Sequence, residues 1–239
     1  MTFCIGIKVR EGIVALADTR IVRGSEQSNK QKLAEFQLNG QSLFTMTSGL
    51  RSVRDKAITY LDESLRQDSQ DIDRLYKLVN RFGEQLRRVK SEDGAALQST
   101  NHSFNSHAII GGRLAGDVGP QMYYVFPEGN WIKASPDAPY FVIGRTSYGK
   151  PILDRLLTYQ TPLRLALGLA FLAFDATRTS VTDVDYPIDV AVLAEHAALP
   201  SLRRYTEADL AITTAWWRDA LSRALSELPS DWLSDLNFD

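Results

Sequence analysis

Thr2 is the residue of this chain with the most chemistry within reach. Removal of Met1 is expected, because a small second residue is the usual condition for that processing step. It leaves a free amino-terminal threonine that carries a nucleophile and a base together. The hydroxyl is weak at neutral pH, but an α-amine titrates at about 7.7–8.0 and accepts its proton directly or through one water. Such a pair needs a cation to keep the amine neutral and polarise the hydroxyl, and a carboxylate to orient the cation. Lys32 and Asp18 have the right types. Taken singly each has an ordinary structural use: Asp18-Thr19-Arg20 suits a strand end, and Lys32 a solvated strand start.

Other residues compete for attention. Gly144-Arg145-Thr146-Ser147-Tyr148-Gly149-Lys150-Pro151 nearly spells the phosphate-binding pattern G-x-x-x-x-G-K-S/T between a strand and a helix. Pro151 stands where the pattern needs a magnesium-binding hydroxyl, and proline suits the first turn of a helix. His102, His107 and His196 show no metal-ligand spacing, so no metal is expected. Asp183, Asp185 and Asp189 lack the glycine and terminal glutamate of a calcium loop. Cys4, on the same strand as Thr2, reads as a small packed residue rather than a nucleophile.

The elements that must position these groups follow from pattern. Residues 1–9 and 13–17 flank Arg10-Glu11-Gly12 as strand, turn, strand, and residues 32–38 and 42–47 flank Asn39-Gly40 as a second hairpin. Apolar residues at helical spacing over 51–66 (Val53, Ala57, Ile58, Leu61, Leu65) and 72–89 (Leu75, Leu78, Val79, Phe82, Leu86) predict two amphipathic helices. Residues 91–103 read as a surface loop, and 108–112, 121–126, 131–134 and 140–143 as strands. Helices are expected at 152–159 and 163–174, a strand at 188–193 and a closing helix at 206–228. In that helix Trp216-Trp217 suits either a core or a subunit contact. Strands and helices arrive in blocks rather than alternating, so antiparallel sheets with helices on their outer faces are expected, an α+β arrangement.

Composition narrows the function classes. A chain of 239 residues, 44% apolar and without a biased tract, fits one compact domain spanning 1–239. With 27 basic against 29 acidic residues, no field of one sign draws in nucleic acid or an anionic membrane. The longest uncharged apolar run, residues 165–174, is half the roughly 20 residues a membrane-spanning helix needs. One cysteine and the absence of a basic and apolar leader favour a reducing, cytoplasmic setting.

Taken together, several stretches resemble the proteasome β-subunit type of N-terminal-nucleophile hydrolase. Ala17-Asp18-Thr19-Arg20 matches that family's second-strand end, Lys32 its third-strand lysine, and Thr47-Ser48-Gly49 the end of its fourth strand. The opening Thr2-Phe3-Cys4-Ile5-Gly6-Ile7-Lys8, the run Tyr148-Gly149-Lys150-Pro151-Ile152-Leu153-Asp154-Arg155, and Phe174-Asp175-Ala176-Thr177-Arg178-Thr179-Ser180 with Pro187-Ile188-Asp189 look like the bacterial ancestral β-subunit group, Anbu. The resemblance implies a four-layer αββα sandwich. It also implies a peptidase or amidohydrolase with Thr2 as nucleophile, Asp18 and Lys32 in support, and the Gly49 N–H at the oxyanion. Arg20 belongs to the supporting motif, and the family places a serine and an acid nearby: Ser180, with Asp175 and Asp183 competing for the acid. Ile21, Lys30, Ala34, Thr47 and Arg51 fall at substrate-pocket positions, and Arg51 suggests an acidic substrate residue.

The group begins Met-Thr without a pro-segment, so maturation is expected by an aminopeptidase. No cofactor is implied; the expected partners are further copies of the chain in a large homo-oligomer, a peptide or protein substrate, and an unfolding or tagging protein of unknown kind. Arg145 stands where typical β subunits carry a serine beside the threonine's amine. This motivates a second reading, a proteasome-like scaffold or binding protein without useful proteolysis. Nucleotide or phosphoester hydrolysis at residues 144–150 is the third.

Overall fold

The computed structural model describes residues 2–23, 26–38 and 40–233, and the chain divides into two units, 1–205 and 206–239. The first unit opens with β1 (Phe3–Val9) and β2 (Gly12–Asp18), paired antiparallel with Cys4 opposite Ala17. Every residue of β2, and every residue of β1 but Lys8, is buried. Strands that lack polar alternation are covered on both faces. On one face Phe3 meets Phe174 of α4 (Leu163–Arg178), ring centroids 6.3 Å apart. On the other, Cys4, Ile13, Ala15 and Ala17 share an apolar cluster with Phe44, Met46, Ile109 and Met122.

These last four residues belong to a second sheet. The first sheet runs in the order β10 (Tyr140–Gly144), β1, β2, β11 (Ile188–Ala194), β12 (Ser201–Tyr205). The second runs β5 (Leu33–Leu38), β6 (Gln41–Gly49), β7 (Ser106–Gly112), β8 (Gln121–Val125), β9 (Trp131–Lys133). Every named pairing in both is antiparallel, as the block order of elements predicts. Gly40, in the second hairpin, has φ +76°, a left-handed backbone that glycine adopts without strain; Asn39, its expected turn partner, lies outside the described residues.

Helices α1 (Arg51–Gln67) and α2 (Leu75–Ser99) bury the faces their spacing predicts. Val53, Ala57, Leu61, Leu75, Leu78, Phe82 and Leu86 pack with Leu43, Ala108, Ile110, Tyr123 and Val125 of the second sheet. On the first sheet α4 lies against β1 and β2, and α3 (Lys150–Leu156) packs on α4.

Four expectations change. Residues 91–99 are not loop but the last turns of α2, despite Gly94. Lys56 of α1 bonds Glu92 and Asp93 at 2.7 and 2.8 Å, Tyr60 donates to Glu92, and Leu97 packs on the shared cluster. These contacts to α1 outweigh the helix cost of one glycine, about 1 kcal/mol. A two-stranded ribbon, β3 (Arg20–Arg23) with β4 (Glu26–Asn29), forms where no strand was expected, and so does β12. β12 is polar and exposed, so it carries no burial pattern; its Arg204 reaches across the ladder to Asp189 at 2.7 Å. The third central helix is also shorter than 152–159, ending at Leu156, and α4 runs on to Arg178.

In the second unit α5 (Glu207–Ser226) starts at a capping box. Asp209 accepts from the Thr206 N–H at 2.7 Å, and the Thr206 hydroxyl accepts from the Asp209 N–H at 3.4 Å. None of its residues is buried; Trp216 is exposed and stacks on Trp217.

Candidate active site

Thr2 sits at the start of β1, and its backbone is gripped from the neighbouring strand. Its carbonyl accepts from the Arg145 N–H at 2.8 Å, just past the end of β10. Gly144 has φ +92°, and a Cβ there would lie 1.8 Å from the Thr2 carbonyl oxygen. Only glycine lets the two backbones approach so closely.

One carboxylate oxygen joins Lys32 to the backbone of the residue after Thr2. Asp18 Oδ1, at the end of β2, accepts from the Phe3 N–H at 2.7 Å and from Lys32 Nζ at 2.7 Å. Lys32 also donates to Asp18 Oδ2 at 2.8 Å and to the Arg20 carbonyl at 2.7 Å. Asp18 is wholly buried, and Lys32 and Thr2 are 6% and 9% exposed. Burial raises the Asp18 carboxyl to about 6, and the opposing pull of Lys32 and of the Phe3 N–H does not cancel it. The lysine is held in place by a chain of backbone contacts: Thr19 donates twice to the Pro187 carbonyl, Lys30 N–H to the Thr19 carbonyl, and Thr47 N–H to the Lys32 carbonyl.

Above this cluster lies a cleft of about 1010 Å³. Thr2, Lys32, Thr47 and Gly49 line it, with Ile21, Lys30 and Arg51 at the positions expected for a substrate pocket. Gly49 ends β6 with φ +112°, and a Cβ would meet the Asn105 carbonyl at 2.2 Å, so this turn into α1 also requires glycine. Ala34 does not line the cleft; it is an exposed residue of β5 opposite Thr45. Sequence reasoning missed Ser48, Arg54, Asn105, His107 and Gly144 in the lining. Arg54 was within reach, since it lies one helical turn beyond Arg51. His107 lies in β7 and Asn105 just before it, and neither had a local signal.

The candidates in the last turns of α4 and just beyond it separate. Asp183 bonds Arg145 Nη2 at 3.1 Å, one residue from the strand end that grips Thr2. Burial would raise its carboxyl, but the guanidinium holds it below the usual carboxylate range. Asp175 is buried within α4 and bonds Arg178 at 2.9 Å. Ser180 is exposed, and its hydroxyl donates to the Ala176 carbonyl at 2.9 Å; neither it nor Asp175 lines the cleft. Arg20 bonds the Thr182 carbonyl and Asp185 at 3.0 and 3.1 Å, tying the ribbon to the same loop as Asp183.

Two remaining residues take structural places. Burial pushes the Cys4 thiol far up, aided by Asp18, which fits a packed and unreactive side chain. Lys150 bonds Asp154 and Tyr140 at 2.7 and 3.0 Å, so the lysine of the near phosphate-binding pattern is occupied within its own helix. No helix among the described residues is long and apolar enough to cross a membrane.

No protein-family model and no curated protein sequence matches the chain. Solved structures do. The Anbu complex of Pseudomonas aeruginosa, described as a helical assembly, is 31% identical over 98% of this chain and 100% of its own, with a TM-score of 0.89. A mutant of Anbu from Hyphomicrobium sp. strain MC1 is 28% identical over 96% of this chain and 98% of its own, TM-score 0.86. Anbu from Yersinia bercovieri is 28% identical over 95% and 97%, TM-score 0.84. With this identity over nearly the full length of both chains, and with the fold and opening strand pair in place, the chain belongs to the Anbu, or ancestral β-subunit, family.

Proposed function

We propose that the chain is an N-terminal threonine hydrolase that cleaves amide bonds. The observation that carries this reading is the shared acceptor: Asp18 Oδ1 takes hydrogen bonds from the residue after Thr2 and from Lys32, so the lysine is held beside the amino-terminal threonine at the floor of a cleft. Once Met1 is removed, Thr2 Oγ attacks the amide carbonyl and its α-amine takes the hydroxyl proton. Lys32, held in place by Asp18, stabilises the negative charge developing around the nucleophile, and the Gly49 N–H receives the oxyanion. The amine then gives its proton to the leaving nitrogen as the C–N bond breaks, and a water hydrolyses the acyl-threonine, restoring the free hydroxyl. Arg145, through its backbone N–H, and Asp183, through the Arg145 guanidinium, position Thr2 rather than react; between the two acids, Asp183 is the supporting one, because it engages the residue that holds the Thr2 carbonyl. No cofactor enters this sequence of steps.

In the same reading the two five-stranded sheets and helices α1 to α4 of the first unit form a four-layer αββα sandwich of the hydrolase type. Further copies of the chain assemble around the site, in line with the helical assembly described for the Pseudomonas aeruginosa relative, and the protein works in the cytoplasm on peptides. The test is the intact mass before and after a peptide epoxyketone, which reacts only with a free amine and its neighbouring hydroxyl. One adduct on a chain lacking Met1, lost in Thr2→Ala, is expected. No adduct on such a chain would refute hydrolysis and leave the scaffold reading. Native mass spectrometry checks assembly: a monomer overturns it.

A further inference from the structure

The cleft is cationic although the chain as a whole is slightly negative. Lys30, Lys32, Arg51 and Arg54 line it, and among the described residues no aspartate or glutamate does. Lys32 is matched by the buried Asp18. Arg51 and Arg54 share a single acid, Asp55, at 3.0 and 2.8 Å from their Nε atoms. Lys30 is exposed and forms no ion pair with any described residue. Among the described residues, two positive charges of the cleft are therefore left without a counter-ion. His107, on the opposite wall, adds none near neutrality: burial lowers its pKa, against the pull of Glu128, and its Nδ1 is bonded to the Tyr124 hydroxyl at 2.9 Å.

We propose that this cleft selects peptides with a carboxylate side chain close to the bond presented to Thr2, with Lys30, Arg51 and Arg54 as the specificity-determining residues. The proposal rests on the hydrolase reading for the bond's fate but not for binding. Guanidinium and ammonium groups donate charge-assisted hydrogen bonds to a carboxylate, and a neutral amide of the same shape forms only the weaker kind. Exposed cations are screened by salt, whereas apolar contacts to a peptide are not, so the preference has a distinct ionic-strength signature. A free peptide C-terminus offers the same chemistry and has to be separated from a side chain.

The experiment measures binding of fluorescein-labelled octapeptides to the full-length protein by anisotropy, at 25 and 200 mM NaCl. The peptides carry Glu, Gln or Lys at one central position, each as the C-terminal amide and as the free acid. The expected result is a Glu peptide bound about tenfold more tightly than its Gln twin at low salt, a smaller ratio at high salt, and no dependence on the C-terminal form. Arg54→Glu and, separately, Lys30→Glu should reduce that ratio or turn it toward the Lys peptide. Lys30 is exposed and outside the helices, so its variant keeps the test valid if Arg54→Glu fails to fold. Equal binding of Glu and Gln peptides, a preference that follows only the C-terminal carboxylate, or an unchanged ratio in Lys30→Glu overturns the proposal. If Glu peptides are preferred but the epoxyketone leaves no adduct, the anion site stands and the hydrolase reading falls.

Discussion

Asp18→Asn separates two physical descriptions of the buried pair. The substitution keeps the side-chain shape and the acceptor for the Phe3 N–H, and removes the charge facing Lys32. At neutral pH it leaves Lys32 without its counter-ion, a cost set against the relief of no longer burying a carboxylate. The pH dependence is more telling. Burial raises the folded carboxyl from 3.8 to about 6, so between those values the folded state binds more protons than the unfolded one. The contribution of this group to stability is complete below about pH 3.8 and is lost as pH rises to 6. At 1.36 kcal/mol per unit the loss is about 3 kcal/mol. Wild type should therefore exceed Asp18→Asn in stability by more at pH 4 than at pH 6.5. With a urea slope of roughly 2–3 kcal/mol per molar, the gap between their midpoints shrinks by about 1 M over that range. Urea unfolding at one fixed protein concentration measures it, since assembly makes stability concentration-dependent. A carboxylate whose ion pair outweighs its burial behaves in the opposite way, with wild type gaining on the variant as pH rises. That outcome, or a constant gap, refutes the reasoning.

Three further outcomes follow from the same geometry. Turnover of a reporter peptide should fall on an acid limb near pH 6, as Asp18 takes a proton and releases its hold on Lys32; a flat rate from pH 7 to 5 counts against the role given to the pair. Gly144→Ala forces a Cβ against the Thr2 carbonyl at φ +92°, so the rate of epoxyketone labelling should drop about a hundredfold, read by mass against time. Phe174→Ala removes a fully buried ring that meets Phe3, Phe171 and Tyr186, and should lower unfolding free energy by about 3–5 kcal/mol in the same urea assay.

Sequence by itself determined the features that depend on near neighbours. The glycine turn between β1 and β2, the helical faces of α1 and α2, the apolar α4 and the threonine at position 2 are all written in short-range pattern, because strand and helix periods repeat within a few residues. The match of Asp18 with Lys32 was readable from residue type and the demands of the chemistry, and a shared family motif reinforced it. Tertiary structure decided what depends on distant strands meeting. That Asp183 rather than Asp175 engages Arg145 depends on β10, which carries Arg145 to the Thr2 carbonyl from more than a hundred residues away. The exposure of Ala34 and Ser180, and the entry of Asn105 and His107 into the cleft, were set by which face of each strand or helix end the packing turned inward. The ribbon of β3 and β4 and the tail of α2 show the same limit from the other side. Backbone pairing joins the ribbon, and ion pairs to α1 help hold the helix tail, and neither is an apolar pattern that sequence reading detects. The charge of the cleft is likewise a tertiary property, since a chain with nearly balanced charge can still gather cations from separate segments in one cleft.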